Sequence, residues 1–150
     1  MKSVIFLIVL LLISATAFAV PPGHIQQQIR SNAEIQFPGD YSTQEYVINK
    51  EFAAYDRLEN FYPNDIPTNI LMVLKRTVEV DHPTDYTTQL YVLNRQVSSY
   101  RELQSYYPNN IPGGALLGIK RAAAEDFPND FLTQLYQIRR QVESYRRLRQ

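Results

Sequence analysis

Catalytic or metal chemistry in this chain would have to come from two histidines, fifteen carboxylates and the serines, because cysteine is absent. His24 and His82 could each act as a general base or a metal ligand. They stand at non-equivalent positions of the internal repeat described below, and His82 precedes Pro83, which suits a solvated loop residue. No serine lies in a nucleophile context. Gly113-Gly114 follows Pro112 but lacks the further glycines and the preceding strand of a phosphate-binding loop. The carboxylates are scattered, and Asp40, Asp85 and Asp130 are placed to cap helices. The expectation is a chain that is not an enzyme, with no catalytic residue, cofactor or metal.

A different chemistry, recognition by aromatic and basic side chains, has a stronger pattern. Thr43, Tyr46 and Lys50 recur as Thr88, Tyr91 and Arg95, and again as Thr133, Tyr136 and Arg140, each set 45 residues from the next. On a helix turning about 100° per residue, Thr88, Tyr91 and Arg95 lie roughly 140° to 200° from the apolar seam. Outward positions normally drift first, since surface changes cost little. Tyr and Arg are enriched at binding surfaces. The stripe is expected either to bind an extended or repetitive partner, one rung per unit, or to pack against the neighbouring repeat.

The elements that hold this stripe come from a duplication. Pro38, Pro83 and Pro128 are each 45 apart, as are Gln44, Gln89 and Gln134, and Tyr55, Tyr100 and Tyr145. Residues 67–105 and 112–150 share 18 identities in 39 positions. Unrelated segments of average composition would share roughly one in sixteen. The units are 22–66, 67–111 and 112–150, together a single helical-repeat domain over 20–150.

Each unit predicts two helices. The first opens after Pro22, Pro67 or Pro112, where a proline suits the first turn. In the middle unit it places Ile70, Leu74 and Val78 on one face, echoed by Ile25, Ile29, Ala33 and by Ala115, Ile119, Ala123. It stops at His82-Pro83, because a residue before proline avoids the helical region. The second helix starts at Asp40, Asp85 or Asp130, whose carboxylates can accept from a free first-turn N–H. Its seam is Tyr86, Leu90, Leu93, Val97 and Tyr100 in unit two, and Phe131, Leu135, Ile138, Val142 and Tyr145 in unit three. Unit one offers Tyr41, Ile48, Phe52 and Tyr55, with Glu45 as a polar exception.

The fold class is therefore all-α: three tandem helical hairpins, six helices of about 14 to 22 residues. A short right-handed solenoid-like stack and a compact six-helix bundle both satisfy this pattern, and identical units favour identical contacts with their neighbours. The terminal units look like caps. Gln26-Gln27-Gln28 replaces Leu71-Met72-Val73 at one end, and Arg146, Arg147 and Arg149 close the other.

Residues 1–19 read as a secretory signal peptide. Lys2 is followed by an apolar run from Val4 to Ile13, and Ala17 and Ala19 are the small residues of a cleavage site. The run is short of the roughly 20 residues that span a bilayer, and no later stretch is longer. The expectation is a secreted, extracellular, cysteine-free protein without a transmembrane segment. Its 14 basic and 15 acidic side chains beyond residue 19 leave a net charge of −1, without the basic footprint that nucleic acid requires.

That near-neutrality hides a gradient. Unit one carries three basic against seven acidic side chains, a net of −4; unit two is neutral; unit three carries seven against four, a net of +3. Such ends could associate head to tail, or the basic end could touch anionic lipid or acidic glycan. The expected function is a binding or structural module whose partner is another protein or a second copy. One alternative is a carrier of a lipid or small apolar ligand between helix layers. Another is a multi-copy peptide precursor cut at Lys75-Arg76, Lys120-Arg121, Arg139-Arg140 and Arg146-Arg147, although these pairs sit inside amphipathic helices.

Overall fold

The computed structural model describes residues 20–149. The expected signal peptide, with Ala17 and Ala19, lies outside the described residues. Six helices and no strand are formed among those described. They are α1 (Gly23–Gln36), α2 (Tyr41–Glu59), α3 (Thr68–Asp81), α4 (Tyr86–Ser105), α5 (Gly113–Asp126) and α6 (Phe131–Arg147). No helix among the described residues is long and apolar enough to cross a membrane.

The boundaries follow from the local chemistry. Pro22, Pro67 and Pro112 stand just before α1, α3 and α5, and each gives its carbonyl to the N–H four residues on. Asp40, Asp85 and Asp130 are the N-caps of α2, α4 and α6, accepting from the N–H of Thr43, Thr88 and Thr133 at 3.0, 2.8 and 3.1 Å. Gly39 and Asn129 fill matching loop positions with positive φ, 79° and 66°, where an achiral or short polar residue is favoured. Thr84 occupies the third of these positions.

The recurrent glutamines have a structural reason that spacing did not reveal. Gln44, Gln89 and Gln134 each reach back across the loop and donate to the carbonyl of Phe37, His82 and Phe127 at 2.7, 2.6 and 2.7 Å. Those carbonyls end the first helix of each unit, and each also accepts from the N–H of Asp40, Asp85 or Asp130 at 3.2, 3.3 and 3.2 Å. Gln89 is 5% exposed. Replacing Gln89 by alanine leaves the His82 carbonyl with only the Asp85 N–H at 3.3 Å, and we expect a loss of about 0.5–1.5 kcal/mol in urea unfolding. A loss below about 0.5 kcal/mol would show that water takes over the bond. His82 itself corrects the expectation of a solvated loop residue: it is the C-cap of α3 and is partly buried.

Within each unit α1 packs on α2, α3 on α4 and α5 on α6; between units α2 packs on α4 and α4 on α6. The second helices thus form the shared layer, and α4 sits at its centre. Leu93 and Val97 of α4 are 0% and 1% exposed. One buried cluster joins units one and two through Ile29, Leu58, Leu74, Leu93 and Val97, and a second joins Leu103 of unit two to Leu116, Ile138 and Val142 of unit three. Half-buried Phe131 packs against both.

Two details depart from the expected faces. In α3 the buried face is Leu71, Leu74 and Val78, while Ile70 is only half-buried. In the second-helix seam, Tyr86 is 8% exposed but Tyr41 is 78% exposed. The cause is the neighbour. Tyr86 meets Tyr55 of the preceding unit edge-on at 5.2 Å between centroids, and Phe131 meets Tyr100 likewise at 5.0 Å. Tyr41 belongs to the first unit and has no preceding ring among the described residues.

Candidate functional site

The outward face of α2, α4 and α6 carries the recurrent stripe. Tyr46, Tyr91 and Tyr136 are 62%, 59% and 61% exposed. Each sits on one helix of the shared layer, and neighbouring helix axes pack about 8–10 Å apart. Successive rungs are therefore expected on the order of 10 Å apart, the spacing of packed helix axes. Lys50 Nζ lies 5.5 Å from the Tyr46 ring centroid, and the Arg95 guanidinium 5.8 Å from that of Tyr91. Arg95 Nη1 also donates to the Tyr91 hydroxyl at 3.1 Å. Arg140, at the matching position of α6, is exposed.

The threonines of the stripe have a different task. Thr43 and Thr88 donate their hydroxyls to Asp40 Oδ2 and Asp85 Oδ2 at 2.7 and 2.6 Å, besides the backbone bonds already described. They complete the helix caps, and that accounts for their recurrence. Hydrogen bonds from Thr43 hold the Asp40 carboxyl below the ordinary aspartate range. At Asp130, burial pushes the carboxyl up, but bonds from the Thr133 and Gln96 side chains and from backbone N–H groups outweigh it, and the net shift is downward.

A carboxyl held low in the folded chain contributes stability that is complete above the ordinary aspartate value and is lost as pH falls through the lower folded value. The wild-type protein should therefore lose stability on acidification below about pH 4. Asp130→Asn keeps a comparable cap, so the acid-induced loss should be smaller in this variant. Urea unfolding at neutral and acid pH reads the difference; equal losses in the two proteins would contradict the role of Asp130.

Between α4 and α6 the stripe borders a groove of about 400 Å³, lined in part by Tyr91, Arg95, Ser98, Leu135 and Arg139. Arg139 pairs with Glu102 across it. The floor is apolar at Leu135, 4% exposed, and the rim is aromatic and charged. Such a surface can accept an extended chain by stacking and by hydrogen bonds from guanidinium groups.

Comparison with protein families, with curated proteins and with solved structures finds no match. The functional reading of this chain therefore rests on its own geometry.

The lysines of two dibasic pairs are built into the packing. Lys75 Nζ donates to the Leu58 carbonyl at 2.6 Å and lies 4.4 Å from the Tyr62 ring centroid. Lys120 repeats this with the Leu103 carbonyl at 3.1 Å and the Tyr107 ring at 4.5 Å. Burial pushes the Lys120 ammonium pKa down. Each lysine thus ties the first helix of one unit to the C-terminal carbonyls of the previous second helix, where a cation is favoured. Sequence spacing showed these pairs as recurrent but not this contact, whose only trace was the recurrence of Tyr62 and Tyr107. No group of three or more His, Asp or Glu side chains among the described residues is placed to hold a metal ion.

Proposed function

We propose that this protein is a secreted, non-enzymatic helical-repeat module of three stacked hairpins, a short right-handed solenoid-like array, which binds an extended partner along Tyr46, Tyr91 and Tyr136. The observation that carries this reading is the near-equal exposure of the three tyrosines, 62%, 59% and 61%, at one repeat position. A face that packed on the next repeat would be buried. A face without use would have been free to drift, whereas here the ring and its adjacent cation persist in every unit. The row supports a protein or glycan with a repeat of about 10 Å, the span of three residues of extended polypeptide. Lys50, Arg95 and Arg140 favour an acidic one.

The docked lysines of Lys75-Arg76 and Lys120-Arg121 support an intact chain over a precursor cut at these pairs. The test is parallel capture from the extracellular fluid of the source, with crosslinking, using wild type and the Tyr46→Ala, Tyr91→Ala, Tyr136→Ala variant. A partner retained by the first and lost by the second supports the reading. Equal capture by both would overturn it.

A further inference from the structure

The two junctions between units are built from the same parts, and the outer sides of units one and three carry residues equivalent to several of those parts. At the first junction, Glu51 accepts from the N–H of Tyr86 at 2.7 Å and from the Thr87 hydroxyl at 2.5 Å, so α2 caps the start of α4. At the second, Gln96 takes that place: its Oε1 accepts from the Leu132 N–H at 3.1 Å and its Nε2 donates to Asp130 at 2.9 Å. The ring pairs Tyr55–Tyr86 and Tyr100–Phe131 accompany these caps. Leu58 and Leu103, at the ends of α2 and α4, are buried to 6% and 8% exposure beneath the following unit.

Gln141 is the next residue in the series Glu51, Gln96, and it is exposed on α6. Tyr145 is next after Tyr55 and Tyr100; it is half-buried, and the Arg149 guanidinium lies 5.4 Å from its ring centroid. Leu148 is next after Leu58 and Leu103, and it is 84% exposed. The opposite end offers the complements. Tyr41, 78% exposed, stands where Tyr86 and Phe131 receive a ring. Arg30 stands where Lys75 and Lys120 reach a helix C-terminus, and it instead lies 5.5 Å from the Phe52 ring centroid.

The charges change in step. Glu45, exposed, stands at the head where units two and three have Leu90 and Leu135, and Arg147, exposed, stands at the tail where unit two has Glu102 and unit one Arg57. Inside the molecule Glu102 pairs with Arg139, one helical turn beyond Leu135. At a junction between copies the acidic partner would come from the head and the basic one from the tail. The net charges of the end units, −4 and +3, have the same polarity.

We propose that the tail of one copy docks on the head of a second copy, reproducing the internal junction, so that the protein assembles head to tail. The contact is heterologous and leaves a free head and a free tail at every step, so growth is open-ended. This rests on the stacked arrangement of units and not on the tyrosine stripe, whose residues lie on the outer face and stay available in the assembly.

Sedimentation velocity on residues 20–150 tests it with two end-blocked variants, Tyr41→Arg for the head and Leu148→Asp for the tail. Both residues are exposed, so circular dichroism should show the wild-type fold for each. Wild type should form a concentration-dependent ladder of species at low salt, and the association should weaken about tenfold or more in ~0.5 M salt, where the Debye length shrinks to a few ångströms. Each variant alone should be monomeric. Mixed one to one, they should form a dimer that goes no further, since one supplies a working tail and the other a working head. Three results would overturn the proposal: a wild-type monomer at every concentration, a symmetric dimer untouched by either variant, or binding to another protein at these ends without self-association. Loss of stripe binding in a protein that still assembles would count against the proposed function alone.

Discussion

Replacing Leu93 by alanine lowers the unfolding free energy by about 2–5 kcal/mol, the range for a buried leucine whose site cannot collapse. Leu93 is 0% exposed on α4, the helix that touches α2, α3 and α6. Neighbours fixed on three sides cannot all move into the space left by the removed methyl groups. The matching residue of unit one, Ile48, is only half-buried on α2, which touches α1 and α4. Ile48→Ala should therefore cost clearly less than Leu93→Ala. Leu117, 69% exposed on α5, is the control, with an expected change within about 0.5 kcal/mol. Urea unfolding followed by circular dichroism gives all three, with the m-value unchanged if unfolding stays two-state. Equal costs at Ile48 and Leu93 would refute the claim that the central position of α4 sets the penalty.

The tyrosine stripe has the opposite signature. Alanine at Tyr46, Tyr91 and Tyr136 together should abolish measurable partner binding while the chain stays folded. A central aromatic anchor typically contributes about 2 kcal/mol or more, roughly thirtyfold in affinity for each ring. The folding cost is small because the rings are near 60% exposed and bury little apolar area. What is lost internally is the contact of Lys50 with Tyr46 and of Arg95 with Tyr91, each worth about 0.5–1 kcal/mol at an exposed site. The melting temperature should fall by about 3–10 °C at most, less than for Leu93→Ala. A fall as large as that of Leu93→Ala would mean that the rings hold the fold, and the binding role would be withdrawn.

Much of the architecture was legible because it is local and repeated three times. Prolines before α1, α3 and α5, aspartates capping α2, α4 and α6, and the four-three spacing of Leu90, Leu93 and Val97 are properties of a few consecutive residues. They predict six helices with nearly the observed bounds. The seam failed at Tyr41 because burial there depends on a ring some 31 residues away in the preceding unit, as Tyr55 is for Tyr86. Gln44, Gln89 and Gln134 were visible as recurrent, yet their purpose was not, because the carbonyl they bind lies across a loop. The docking of Lys75 and Lys120 was hidden for the same reason: a dibasic pair is a local pattern, while the carbonyl and ring each lysine docks on belong to the previous unit.

The candidate site divides along the same line. That Thr-Tyr-basic triplets point away from the seam follows from helical periodicity alone. Periodicity is silent on what lies on the far side, so a buried inter-repeat face and an open one looked alike. The tertiary arrangement packs α2, α4 and α6 through Glu51, Gln96 and the aromatic pairs and leaves Tyr46, Tyr91 and Tyr136 near 60% exposed. It also divided the triplet, assigning the threonines to the caps and leaving tyrosine and cation at the surface. Helix formation is governed by neighbours within four residues, which any stretch of chain displays. Exposure is governed by residues brought together from 30 or more positions away, and only the packed chain brings them together.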